Sequence, residues 1–256
     1  MPLAWLCLAS CASWLVSSIT GCGSSVVLIP LVSCFLGIQA VAPILTVGML
    51  MGNGHRVALY WQDIDRRVVS CFVPGSVVGA CLGAWAISRV QTEWIGLLLG
   101  AVLILSALGM FEGNEPKSPR VKAWHFLPAG MGYSCLSGLV GTAGPLLNVL
   151  YLGYGLSKEA MISTKSANQV FMHTIKIAFY CAFGIMSPEY LGYGLAIGLA
   201  AVPGNWLGRT LLARMNDTSF RKCAFAFISI AGMYLVWEQR AILETGGQIL
   251  ASLNGQ

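Results

Sequence analysis

Long, unbroken apolar runs, such as residues 94–110 and 190–212, constrain this chain more than any other feature. A run of that length reads as a helix able to span a bilayer, about 20 residues rising 1.5 Å each. A strand of a membrane β-barrel would instead alternate apolar and polar residues over short stretches. Charged residues are 10% and hydrophobic residues 56% of the 256 residues, against about 25% charged in a soluble domain. The expected fold is therefore an all-α integral membrane protein, a multi-pass helical bundle in contact with the lipid bilayer. The net charge of +5 is dispersed, and no basic patch suits nucleic acid.

Apolar runs between charged or turn-rich breaks give ten segments: 3–20, 24–37, 40–61, 68–88, 93–111, 124–141, 143–154, 157–186, 190–212 and 220–237. The second and seventh are too short to span fully and read as half-helices or tilted partners of a neighbour, so the count lies between eight and ten. The run that precedes Thr20 has no Lys or Arg ahead of it and no break after it, so it is expected to be the first span and not a cleaved signal. The polar stretch 112–123 divides a single membrane domain, 1–256, into a first half at 3–111 and a second at 124–237, with a tail at 238–256.

The halves resemble one another. A displacement of 118 residues lays Gly23 on Gly141, Gly37 on Gly155, Thr46 on Thr164 and His55 on His173. One of 125 lays Gly79 on Gly204, Gly83 on Gly208 and Arg89 on Arg214. With every segment crossing, the basic loops around Arg66, Lys117, Lys158 and Arg221 share one side, which the positive-inside rule makes cytoplasmic. The two halves are then inverted-topology repeats, an arrangement with sites near the membrane midplane.

The segment 157–186 carries Lys165, Asn168, Gln169, His173 and Lys176. Steps of three and four place 165, 169, 172, 173 and 176 on one helix face. A lone Lys at the bilayer centre costs at least ~2.5 kcal/mol, so such groups turn to a bundle interior or a wet cavity. The stripe reads as an anion pathway; the alternative is that both lysines snorkel to the interfaces. In segment three, Arg56 is expected near the inner interface, because Asp63, Asp65, Arg66 and Arg67 follow closely. His55 and His173 are candidates for proton coupling, since histidine titrates near neutrality; a histidine simply donating to a carbonyl in the bundle is the alternative.

Each half opens with a glycine-rich break, the first around Gly21, Gly23, Ser24 and Ser25, the second around Gly138, Gly141, Thr142 and Gly144. Exposed backbone N–H groups at such breaks, with hydroxyls from Ser24, Ser25 and Thr142, would form an anion cradle. Close helix packing through small residues is the alternative reading. The nine cysteines contain no Cys-x-x-Cys pair, which argues against thiol-relay chemistry. Neither an acidic pair within a span nor a metal-ligand spacing is found, so no catalytic residue, metal or cofactor is expected.

Gly21, Cys22, Gly23, Ser24, Ser25, the four apolar residues 26–29 and then Pro30 resemble the Gly-x-Gly-Gly-Gly, four apolar residues, Pro signature of the TauE/SafE sulfite-exporter family. Residues 138–145 resemble its second copy, and Gly79, Ala80, Gly83 and Ala84 its Gly-Ala-x-x-Gly-Ala helix. The chain departs from the signature where Ser24 and Ser25 stand for two glycines. The resemblance covers nearly the whole chain and implies transport of small sulfur-containing anions such as sulfite, sulfoacetate or other organosulfonates; a secondary transporter working as an exporter is the expectation drawn here. It also implies a plasma-membrane location, the inner membrane in a bacterium. The residues expected to bind substrate are Gly23, Ser24, Ser25, Gly141, Thr142, Gly144, Gln169, His173 and Lys176. A carboxylate or inorganic anion, a channel, and a thiol-relay or assembly protein are the alternatives, and a homodimer stays open.

Overall fold

A computed structural model describes residues 2–21, 24–88, 121–140, 147–220, 222, 223 and 226. Their regular elements are all helical: α1 (Pro2–Thr20), α2 (Ser24–Leu36), α3 (Ile38–Leu59), α4 (Arg66–Ile87), α5 (Phe126–Val140), α6 (Asn148–Tyr154), α7 (Lys158–Ala182) and α8 (Pro188–Ala213). Short 3-10 turns at Trp61–Asp63 and Ala123–His125 lead toward α4 and α5. Segment 93–111 lies outside the described residues, as does nearly all of 220–237.

Local chemistry sets the boundaries. The Asp65 carboxylate accepts from the N–H groups of Arg67 and Val68 and starts α4; Ser157 and Ser187 cap α7 and α8 in the same way. Gly37 and Gly155, the pair matched by the 118-residue displacement, both take positive φ, 86° and 91°. Each closes a short helix, α2 of 13 residues and α6 of 7, ahead of a long one. A residue with a Cβ would be strained at either joint.

Packing then exchanges helices between the halves. α4 lies on α5, where Gly75, Gly79 and Gly83 face the main chain of Leu127, Met131 and Cys135 so closely that a Cβ on any of them would overlap it. α8 lies on α1 in the same manner, with Gly204 against the Cys11 carbonyl and Gly208 against Ser18. Glycines four apart let helices touch main chain to main chain, as close membrane packing requires. α3 and α7 cross between these pairs, and each touches the other. Large apolar side chains, among them Trp5, Leu8, Trp85, Leu199 and Trp206, point outward. Of the described helices, α1 and α4 are long and apolar enough to cross a membrane; the polar stripe lowers the hydropathy of α7, which is longer still at 25 residues.

Four connections meet at one end of the bundle. Thr164 Oγ1 accepts from the Asp65 N–H at 2.9 Å. The Lys158 ammonium donates to the carbonyls of Leu212 and Met215, closing the end of α8, and its N–H donates to Asp217. Val121 lies against Gly153. Arg66, Arg67, Lys122, Lys158 and Arg214 therefore gather at this end.

Candidate functional site

The polar stripe of α7 faces inward throughout. Lys165, Asn168, Gln169, His173 and Lys176 are all buried, and Lys176 and His173 are fully so. Neither lysine snorkels. The Lys165 ammonium donates to the Gly21 carbonyl at 2.8 Å and to Asn148 Oδ1 at 2.6 Å. Lys176 donates to the Ser137 carbonyl at 2.6 Å and to its hydroxyl at 3.1 Å, and its ammonium lies 5.6 Å from the centre of the Tyr180 ring. Tyr180 donates to the Gly138 carbonyl.

These contacts tie both cations to the glycine-rich breaks. Gly21 begins the first break, Ser137 and Gly138 begin the second, and Asn148 follows the second. Both lysines are thus set beside helix ends, where the last carbonyls accept from groups outside the helix. Between the two levels, about 16 Å apart along the axis at 1.5 Å per residue, Gln169 donates to the Tyr133 hydroxyl at 2.9 Å and Asn168 to that of Tyr151 at 2.7 Å.

Polar atoms without partners mark the same region. Among the described residues, both ring nitrogens of His173, Asn168 Oδ1, Asn148 Nδ2 and Ser134 Oγ are buried without a hydrogen bond. Each such group costs about 1–3 kcal/mol of desolvation, so several within one cluster point to a place built for something polar. Charge, directed donors and unmet polar groups together can hold a small oxyanion and release it again.

Of the residues expected to bind substrate, Gln169, His173 and Lys176 share the inner face of α7. Ser24 and Ser25 are buried at the start of α2, where the Ser24 hydroxyl meets the Met49 sulfur at 3.6 Å. Gly23, Gly141, Thr142 and Gly144 lie outside the described residues. His55 sits on the half-exposed side of α3, with a buried Nδ1 that has no partner.

Arg56 corrects the sequence reading, which places it at the interface. It is 5% exposed inside the bundle. Its Nε donates to Asn205 Oδ1 at 2.7 Å, and its Nη2 to the Trp14 carbonyl at 3.1 Å and the Ser18 hydroxyl at 3.0 Å. The guanidinium also stacks 4.5 Å over the Trp14 ring. The acidic neighbours at 63 and 65 belong to the turn beyond α3, whereas Arg56 lies a full turn inside it.

Sequence reasoning misses Asn148 and Tyr133 altogether. A lone Asn three residues past Pro145 gives no periodic signal, and Tyr133 reads as an ordinary apolar position. Asn168 stands out in the sequence only as part of the stripe; its tie to Tyr151 joins residues 17 apart.

A family model described as Sulfite exporter TauE/SafE matches residues 6–235. No curated protein and no solved structure gave a significant match.

Proposed function

The chain belongs to the sulfite exporter TauE/SafE family, and from that premise we propose that it is a secondary transporter that exports small sulfur oxyanions or organosulfonates across the plasma membrane. The family is one of membrane transporters for sulfur anions. The observation that carries the reading is the inner face of α7, where Lys165 and Lys176 are held against the edges of the two glycine-rich breaks.

Sulfonates remain anionic at physiological pH, which suits fixed positive charge and N–H donors. Lys176 and Gln169 serve as side-chain donors, with Ser24 and Ser25 at the start of α2. Gly23, Gly141, Thr142 and Gly144 are assigned to the cradle from their places in the sequence motif. His173, without a partner among the described residues and one turn before Lys176, is the candidate for proton coupling, and His55 is its counterpart in the first half. Export of an anion from a cell negative inside is favoured by about 2.3 kcal/mol per charge per 100 mV, so transport runs without coupling as well.

The exchange of helices supports the inverted-repeat reading. α4 of the first half packs on α5 of the second as α8 of the second packs on α1 of the first, through glycines that the repeat alignment matches. Basic residues gathered at one end suit a cytoplasmic face.

Lys176→Met tests the assignment. The expected outcome in proteoliposomes is sulfite flux at background from a variant that still purifies as a folded protein. Wild-type flux would refute the role of Lys176. Thermal-shift series with sulfite, thiosulfate, sulfoacetate, taurine, sulfate and acetate identify the cargo, since a ligand at about 100 times its Kd adds about 2.7 kcal/mol. A response to acetate alone would favour a carboxylate transporter instead.

A further inference from the structure

We propose a second anion station at the first glycine-rich break, in which Lys165 supplies the charge and the Asn148 carboxamide supplies directed N–H groups. This rests on the transport reading and adds to it a binding residue, Asn148, at a level of α7 distinct from that of Lys176.

Three observations place it. First, the amide's orientation is determined by chemistry: an ammonium has no acceptor, so the Asn148 atom 2.6 Å from Lys165 Nζ is the oxygen. Second, the amide nitrogen thereby turns toward the first break, where a Cβ built on Gly21 would lie 3.7 Å from it. Third, Asn148 is fully buried and this NH₂ has no acceptor. A donor pair that is buried, fixed in direction and unmatched, beside a buried cation, is complementary to an oxyanion.

The surroundings limit what enters. Gly21 has positive φ, 69°, and a Cβ on it would lie 3.0 Å from the tip of the Phe220 ring and 3.3 Å from the Met161 methyl; the space is closed by these two side-chain ends, which turn aside to admit an anion. An anion seated there has apolar walls, two N–H groups on one side and an ammonium on another. That suits a compact, several-oxygen headgroup such as sulfite or a sulfonate. The same group then passes along α7 past Gln169 to the level of Lys176, so that two cations some turns apart share the transit in place of one deep well.

The test uses purified full-length protein and sulfite as the probe, with affinity measured by calorimetry. Asn148→Asp keeps the oxygen that Lys165 requires and replaces the donor pair with a charged acceptor. The expected result is a folded protein, with Tm at or above that of the wild type, whose sulfite Kd is raised at least tenfold. Asn148→Leu, neutral and without donors, is expected to weaken sulfite binding to a similar extent. Wild-type affinity in Asn148→Asp overturns the assignment. So does an Asn148→Asp variant that fails to fold, because the amide would then be serving the structure. Absence of binding by the wild type to sulfite, sulfoacetate and taurine alike would instead overturn the transport reading together with the station; intact wild-type binding with an unaffected variant removes the station alone.

Discussion

α3 and α7, which the 118-residue displacement lays on one another, bury Arg56 and the two lysines respectively, yet the polar groups around these cations are satisfied to different degrees. Around Arg56, the donors on the guanidinium meet an amide, a carbonyl and a hydroxyl. The Asn205 amide goes on to the Gly52 carbonyl and that of Asn53 to Met49; among the described residues, the Trp14 indole N–H and His55 Nδ1 stay without a partner on this side. Along α7 the lysines are held as firmly, but His173, Asn168 and Asn148 keep atoms that nothing in the described fold answers. A closed network rigidifies, while a partly open one stays costly until a guest completes it. On the transport reading proposed above, the difference separates a staple of the structure from a path for substrate.

Arg56→Leu should produce the largest effect on folding. It strips a donor from Asn205, Ser18 and the Trp14 carbonyl at about 1 kcal/mol or more each, roughly 3 kcal/mol together, and is expected to appear as a sharp fall in folded yield and Tm. Equal stability of Arg56→Leu and the wild type would erase the contrast. Asn205→Ala should come next, with about 2 kcal/mol lost from two broken bonds. Its sulfite KM in proteoliposomes is expected to stay within about twofold of the wild type, because the cluster holds α1, α3 and α8 together without touching cargo. His173→Leu should barely move stability, by no more than about 1 kcal/mol, since exchanging an unpartnered polar group for an apolar one of similar size is close to neutral. Its effect belongs in the pH dependence of sulfite flux, expected to flatten. A loss of several degrees in Tm with an unchanged pH profile would make His173 structural and blur the comparison.

How far these two regions are legible from residues alone follows from the range of their contacts. The α7 stripe announces itself, because polar side chains at steps of three and four in an apolar run mark one helix face that turns away from lipid. The joints at Gly37 and Gly155 are likewise visible as a matched pair, and their shared positive φ gives the match a backbone cause. Arg56 is misplaced by its sequence neighbourhood because its partners lie 38, 42 and 149 residues away, on helices that no local pattern connects to it. Charged residues in the following turn draw it toward the interface instead. Asn148 escapes notice for a similar reason: its partner Lys165 sits on the next long helix, and only the folded chain brings Gly21 alongside both.

The seating of α8 on α1 also has a temporal side. Ser10 donates to the Ile197 carbonyl across 187 residues of chain, so the surface of α1 that receives Gly204 and Gly208 waits until α8 has been made. At about 5–20 residues per second that delay is roughly ten to forty seconds, during which α1 has entered the bilayer and its proper neighbour has not been synthesised. α1 is therefore among the described helices that settle late, and a ribosome that stops short of Pro188 leaves behind a membrane-inserted fragment with an open face, the form that quality-control proteases are suited to recognise.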